Sequence, residues 1–215
     1  MNSSEAVIFD MDGVIVDSEP LHEQAFREVL DEIGYGQNHG LDFTEYYGKS
    51  DRVVWQDFFA RHQPAQTLDE LADWKQRRFF ELLRADEPVF EPLPELLKKL
   101  SSRYRLGLAS GSAHRVIREV LALKNLGGFF SVAVSAEDVA HGKPAPDIFL
   151  RAAELLKVRP GRCWVIEDSV AGVEGALAAG MRVIGITNTF SAARLQPATH
   201  IVETYDAIDR LLLDS

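Results

Sequence analysis

From Phe90 onward, short and nearly unbroken apolar runs alternate with helix-forming stretches. This alternation constrains the fold most, because a strand buried on one face only would show period-two polarity instead. Strands are expected at Ala6–Asp10, Arg105–Ser110, Ser131–Ser135, Cys163–Asp168, Arg182–Thr187 and Thr199–Val202. Helices fit between them at Pro94–Ser102, Ala113–Leu123, Pro146–Lys157, Val170–Ala179 and Tyr205–Leu213. The pattern reads as an α/β fold whose doubly wound, mainly parallel sheet is covered on both faces.

Between the first strand and Phe90 the pattern breaks, and residues 17–87 read as helices only. Leu21, Ala25, Val29 and Ile33 repeat at helical spacing over Pro20–Ile33, and Gly34 ends the run. Pro20 suits an opening turn, with Ser18 or Glu19 as the cap. Further helices fit Arg52–His62 and Leu68–Arg84. The expectation is a small all-helical cap, 17–87, inserted into a core made of 1–16 and 88–215, with two hinge-like crossings.

Four segments carry chemistry, each at the C-terminal end of an expected strand, where open parallel sheets bind ligands. In Val7-Ile8-Phe9-Asp10-Met11-Asp12-Gly13, two carboxylates one residue apart end an apolar strand. One such carboxylate can attack phosphorus while the other moves protons; a solvated strand end is the plainer alternative. Leu108-Ala109-Ser110-Gly111-Ser112 runs into a helix start, which suits either an anion site or a simple N-cap at Ser112. In Gly142-Lys143-Pro144-Ala145-Pro146, the prolines stiffen the residues before them, so Lys143 is better placed than a free surface lysine to meet a phosphoryl oxygen; a solvated loop charge is the plainer alternative. Val165-Ile166-Glu167-Asp168-Ser169 again ends a strand on paired carboxylates, which suit Mg²⁺ or are simply an exposed strand end, with Ser169 capping the next helix in either case.

Composition narrows the function classes. A formal net charge of −10 over 215 residues argues against a nucleic-acid surface. An acidic chain that handles phosphate must concentrate positive charge locally. No apolar run reaches about 18 residues and the first residues lack a signal-peptide pattern, so the expected home is cytoplasmic, away from membranes. The single cysteine, Cys163, lies in an apolar run and reads as a buried inert thiol.

In this order the four segments resemble the sequence motifs of the haloacid-dehalogenase-like (HAD) superfamily, from about Ala6 to the C-terminus. The chain is most similar to the branch with a small helical cap, which includes β-phosphoglucomutase-like proteins and sugar-phosphate phosphatases. The resemblance implies a Rossmann-like core, a Mg²⁺ cofactor, and a small phosphorylated metabolite as substrate. It also implies roles: Asp10 as the nucleophile that forms an aspartyl phosphate, and Asp12 as general acid and then base, offering its backbone carbonyl to the metal. Ser110 and Lys143 would hold the phosphoryl group, Asp168 would ligate the metal, and Glu167 would be a ligand or its immediate neighbour. Gly111 and Ser112 would complete the phosphate turn.

In the cap, Ser18 and His22 lie where this branch often has groups facing the active site, and His22 fits a plain helix surface equally well. Tyr47-Gly48-Lys49-Ser50-Asp51-Arg52 resembles the substrate-reading loop, with Lys49 and Arg52 as its cations. Where β-phosphoglucomutases place an arginine, this chain has Asp51, so a phosphatase is expected ahead of a mutase. Dehalogenation or a silent binding module ranks behind both, given Asp12 and the full motif set. Lys75 is a further candidate substrate contact, though a solvated helix face is the plainer expectation, and the protein is expected to be a monomer.

Overall fold

The computed structural model describes residues 5–46 and 50–214. One sheet is formed by β1 (Ala6–Phe9), β2 (Arg105–Ser110), β3 (Val132–Ser135), β4 (Cys163–Glu167), β5 (Arg182–Ile186) and β6 (His200–Val202). Its order is β3-β2-β1-β4-β5-β6, and every neighbouring pair is parallel. The helices are α1 (Glu19–Glu32), α2 (Asp51–Arg61), α3 (Leu68–Asp86), α4 (Leu93–Ser101), α5 (His114–Ala122), α6 (Asp147–Leu156), α7 (Val170–Ala178) and α8 (Tyr205–Leu213). The expected strands and helices are all present. Their ends differ by a residue or two, as terminal residues leave the hydrogen-bonded ladder.

Two compact units result: Met1–Asp17 with Val89–Ser215, and Ser18–Pro88. In the first, Ile8, Val134, Val165 and Val183 pack with Phe149, Ala152, Val173 and Ala176. Val7 and Phe9 alternate to the opposite face and are also fully buried. A strand with no solvated face needs a continuous apolar run, which is what the sequence supplies. Among the described residues no helix is long and apolar enough to cross a membrane.

The chain leaves β1 through a tight turn in which Gly13 donates to the Val16 carbonyl at 2.8 Å, with Gly13 at φ +76°. Val16 then pairs with both Asp12 and Val89. A β-carbon on Gly13 would overlap the Asp168 carboxylate and come within 2.7 Å of Thr189 Oγ1. The glycine is therefore required twice, by the backbone angle and by the close approach.

The second unit is built around Phe26, Leu30, Phe43, Trp55, Phe58 and Leu71. Ser18 stands at the N-cap position of α1 but makes no side-chain cap bond. Thr67, by contrast, forms a reciprocal capping box with Glu70 at the start of α3. The structure overturns the expectation of a solvated Lys75. Its side chain is fully buried, donates to Asp51 Oδ2 at 2.8 Å and to His22 Nδ1, and lies over the Phe26 ring at 4.7 Å and the Phe79 ring at 5.1 Å. The reason is positional: Leu71, Lys75, Phe79 and Leu83 form the buried stripe of α3. A buried ammonium needs such partners to stay charged.

Two outcomes follow from this packing. Asp51→Asn should cost roughly 2 kcal/mol in a urea titration, below the about 3–5 kcal/mol of a fully buried pair, because the Asp51 side chain is 36% exposed. Lys75→Met in the same background should recover most of that loss; an undiminished loss would mean that the pair is not its source. Gly13→Ala should cost more than about 1 kcal/mol by the same titration, since alanine resists a positive φ, and wild-type stability would contradict the strained turn.

Candidate active site

The sheet order places β1 at the switch point, with β2 on one side and β4 on the other. Loops from neighbouring strands diverge there and leave a crevice at the C-terminal edge. Asp10 follows β1 directly, and its backbone N–H donates to the Ile166 carbonyl of β4 at 3.0 Å. Ser110 ends β2, while Glu167 and Asp168 end and follow β4. The motifs, distant in sequence, thus meet because the strands that carry them are adjacent.

Lys143 ties the cluster together. Its ammonium donates to both Asp10 Oδ1 and Glu167 Oε1, with its side chain only 12% exposed and lying over the Phe149 ring. Burial opposes that charge, yet the Asp10 and Glu167 carboxylates together hold the lysine above its ordinary value. The remaining oxygen of Glu167 accepts from the N–H groups of Asp168 and Ser169 and from Ser169 Oγ, at 2.9–3.0 Å. Ser169 also caps α7 as expected, its hydroxyl accepting from Gly172 N at 3.0 Å. Gly172 is needed because a β-carbon there would overlap the Glu167 carboxylate. The first turn of α7 thus closes on Glu167 and fixes it.

Burial lifts the Asp10 carboxyl well above the ordinary carboxylate range; Lys143 pulls it back, and Glu167, Asp168 and Asp12 push it further up. Burial, helped by the Glu167 charge, raises Asp168 to about 7. Oxygens of Asp10, Glu167 and Asp168 lie within 4.8 Å of one another. Three carboxylates against the single Lys143 ammonium leave two formal negative charges, which one divalent cation would balance. An all-oxygen, buried, under-neutralised set fits a hard cation.

Asp12 stands at the same edge, where Ser112 Oγ donates to its Oδ2 at 3.0 Å. Ser112 N–H in turn donates to the fully buried Ser110 Oγ at 3.0 Å. Ser112 is therefore not the simple N-cap that the sequence allowed. Ala113 occupies that position without a side-chain bond, and the Ser112 hydroxyl turns to Asp12 instead. Gly111, between the two serines, has room around its missing β-carbon.

The sheet edge therefore gathers Asp10, Asp12, Ser110, Gly111, Ser112, Lys143, Glu167 and Asp168. The other expected site residues belong to the helical unit. His22 is stacked on Phe79 at 4.0 Å between centroids and accepts from Lys75. Arg52 is exposed on α2. Lys49 lies outside the described residues. Cys163 is buried, as expected, and its thiol is held up to about 11 by burial.

Sequence reading missed a supporting layer. Asn188 Nδ2 donates to the Gly13 carbonyl at 2.8 Å and to the Tyr205 hydroxyl at 3.1 Å, which itself donates to the Val14 carbonyl at 2.7 Å. Thr189 hydrogen-bonds Asp168 and lowers its carboxyl. Asn188 and Thr189 follow an apolar strand, the very signal that marked the other segments. Tyr205 had none, since its partner is 191 residues away in sequence.

Comparison with known proteins agrees with this architecture. Residues 5–180 match the model of the haloacid dehalogenase-like hydrolases. A phosphorylated carbohydrates phosphatase of Thermotoga maritima is 35% identical over 192 residues, covering 87% of each chain. A fructose-1-phosphate phosphatase of Escherichia coli is 34% identical over 182 residues, covering 84% of this chain and 95% of the relative. The β-phosphoglucomutase structure from Clostridium difficile superposes with a TM-score of 0.78 at 25% identity, covering 95% and 93% of the two chains. With four motif segments converging on one sheet edge, and relatives matched along most of their length, the chain belongs to the haloacid dehalogenase-like hydrolases.

Proposed function

We propose that the protein is a Mg²⁺-dependent phosphatase of small phosphorylated metabolites, sugar phosphates above all, working through an aspartyl phosphate on Asp10. The observation that carries this reading is the Asp10 carboxylate, held by Lys143 amid Asp168, Ser110 and the Ser112–Asp12 pair. The substrate class is supported by relatives named for phosphorylated carbohydrates and fructose 1-phosphate. These residues lie in the unit of Met1–Asp17 with Val89–Ser215, and the helical unit Ser18–Pro88 would act as its cap.

In the first step a carboxylate oxygen of Asp10 attacks phosphorus, and the bond from phosphorus to the metabolite oxygen breaks. Asp12, protonated, gives its proton to that departing oxygen. In the second step the Asp12 carboxylate takes a proton from water, and the resulting hydroxide attacks phosphorus. The phosphorus–Asp10 bond breaks, releasing inorganic phosphate and restoring the Asp10 carboxylate. Lys143 and the Ser110–Ser112 turn hold the phosphoryl oxygens, and positioning with charge stabilisation supplies most of the acceleration. Ser112 aims the Asp12 carboxyl. Mg²⁺, held by the side chains of Asp10 and Asp168 and the Asp12 carbonyl, would neutralise charge on the transferring group. Of the two roles open to Glu167, its hydrogen bonding favours support: one oxygen is engaged by Lys143, and the other by the Asp168–Ser169 turn.

Similarity to a β-phosphoglucomutase keeps a mutase as the second reading. A mutase must grip the non-reacting phosphate, and where β-phosphoglucomutases place an arginine this chain has Asp51, whose carboxylate would repel that group and is paired with Lys75 at 2.8 Å. Hydrolysis is therefore favoured.

Hydrolysis of an aryl phosphate should require Mg²⁺ and vanish with chelator; full activity in excess chelator would sink the metal assignment. Asp10→Asn should form no phosphoenzyme, whereas Asp12→Asn should slow turnover by roughly 10²–10⁴-fold. With β-glucose 1-phosphate and a trace of the 1,6-bisphosphate, inorganic phosphate should accumulate faster than glucose 6-phosphate. The opposite ratio would promote the mutase.

A further inference from the structure

We propose that Ser135, backed by Asp138 and Glu137, is a positioning residue for the phosphoryl-binding turn Ser110–Ser112. The inference rests on the phosphatase reading for its kinetic consequences, but its geometry stands without it. Ser135 ends β3 directly beside Ser110 in the parallel register. Its buried hydroxyl has two partners: it accepts from Glu137 N at 3.1 Å and donates to the Ser112 carbonyl at 2.8 Å. The first bond starts the short 3₁₀ turn Ala136–Asp138, and the second reaches across to the loop after β2.

The same turn sends two more side chains to the same target. Glu137 Oε2 accepts from the His114 N–H at 2.8 Å, at the start of α5. Asp138 Oδ1 accepts from His114 Nε2 at 2.9 Å, while its Oδ2 accepts from Ser135 N at 2.9 Å. Three side chains of one four-residue segment therefore grip Ser112–His114. A serine that only closed its own strand would need the Glu137 bond alone.

What the grip controls follows from the bonds beyond it. Ser112 N–H is held on Ser110 Oγ, and Ser112 Oγ on Asp12 Oδ2. A shift of Ser112 would disturb both at once: the hydroxyl meant for the phosphoryl group and the carboxyl meant for proton transfer. Fixing donors before substrate arrives is what makes such a site effective, and small displacements are costly.

The test compares Ser135→Ala, Ser135→Thr and the exposed-site variant Asp138→Ala with the parent. Readouts are Mg²⁺-dependent aryl-phosphate kinetics, inhibition by inorganic phosphate, thermal melting and amide hydrogen exchange at 111–114. Ser135→Ala should lower kcat/KM by about 10- to 100-fold, weaken inhibition by phosphate and speed exchange at these amides. Its melting temperature should move by only a few degrees. Ser135→Thr, which keeps the hydroxyl, should recover part of the activity, and Asp138→Ala should show the same pattern more weakly. Should Ser135→Ala fail to fold, Asp138→Ala decides alone. Unchanged kinetics in the folded variants, or activity lost only in step with melting temperature, would overturn the proposal. A parent inert towards aryl phosphates would defeat the phosphatase reading instead, while the exchange rates would still report on the strap.

Discussion

The Lys143 ammonium between Asp10 and Glu167 is the interaction on which the rest of the site depends. Like charges about 4 Å apart repel by about 4 kcal/mol each at an effective dielectric of about 20. Asp10, Glu167 and Asp168 are all buried and mutually close. Without a cation among them, one or more would take up a proton and lose its chemical use. Lysine offsets part of this repulsion, and the oxygens left over are of the kind a divalent ion prefers. The acidity that looks costly for the fold is thus the property that recruits positive charge into an acidic protein.

Holding such a cluster requires rigid neighbours, and the parallel sheet supplies them. Each strand end that carries the site is backed by a helix start or a side-chain clamp: Ser169 and Gly172 behind Glu167, Asn188 and Tyr205 behind the Gly13 turn, Ser135 behind Ser112. These contacts do little chemistry of their own. They remove the freedom by which crowded carboxylates would otherwise move apart.

What was legible in the sequence followed from periodicity and local chemistry. Continuous apolar runs marked β1 and β4, and polar residues at their ends marked Asp10 and Asp168. The Ser112 hydroxyl was ambiguous because capping and pairing with Asp12 use the same atom, and only the fold brings a residue 100 positions away within 3.0 Å. Tyr205 and Ser135 were invisible for the same reason. Lys75 was misread although its stripe was present: Leu71, Lys75, Phe79 and Leu83 recur every fourth residue. Charge outweighed periodicity in that reading, and no local rule announces that Asp51 and two aromatic faces will receive the ammonium.

That misreading bears on substrate choice under the proposed function. A free lysine in the helical unit would offer a full positive charge to a second phosphate. Here Asp51 neutralises Lys75, and a phosphate could bind the ammonium only by displacing a carboxylate at 2.8 Å. Displacement exchanges one anion for another, so the net gain is small, and Asp51 would then repel the newcomer. A monophosphate loses nothing by this arrangement, because under that reading its one phosphate would be held by Lys143 and the Ser110–Ser112 turn. A distal phosphate would therefore gain little from Lys75 itself. Under the proposed function, the Asp51–Lys75 pair is in keeping with a monophosphate substrate, since Lys75 is no ready grip for a second phosphate.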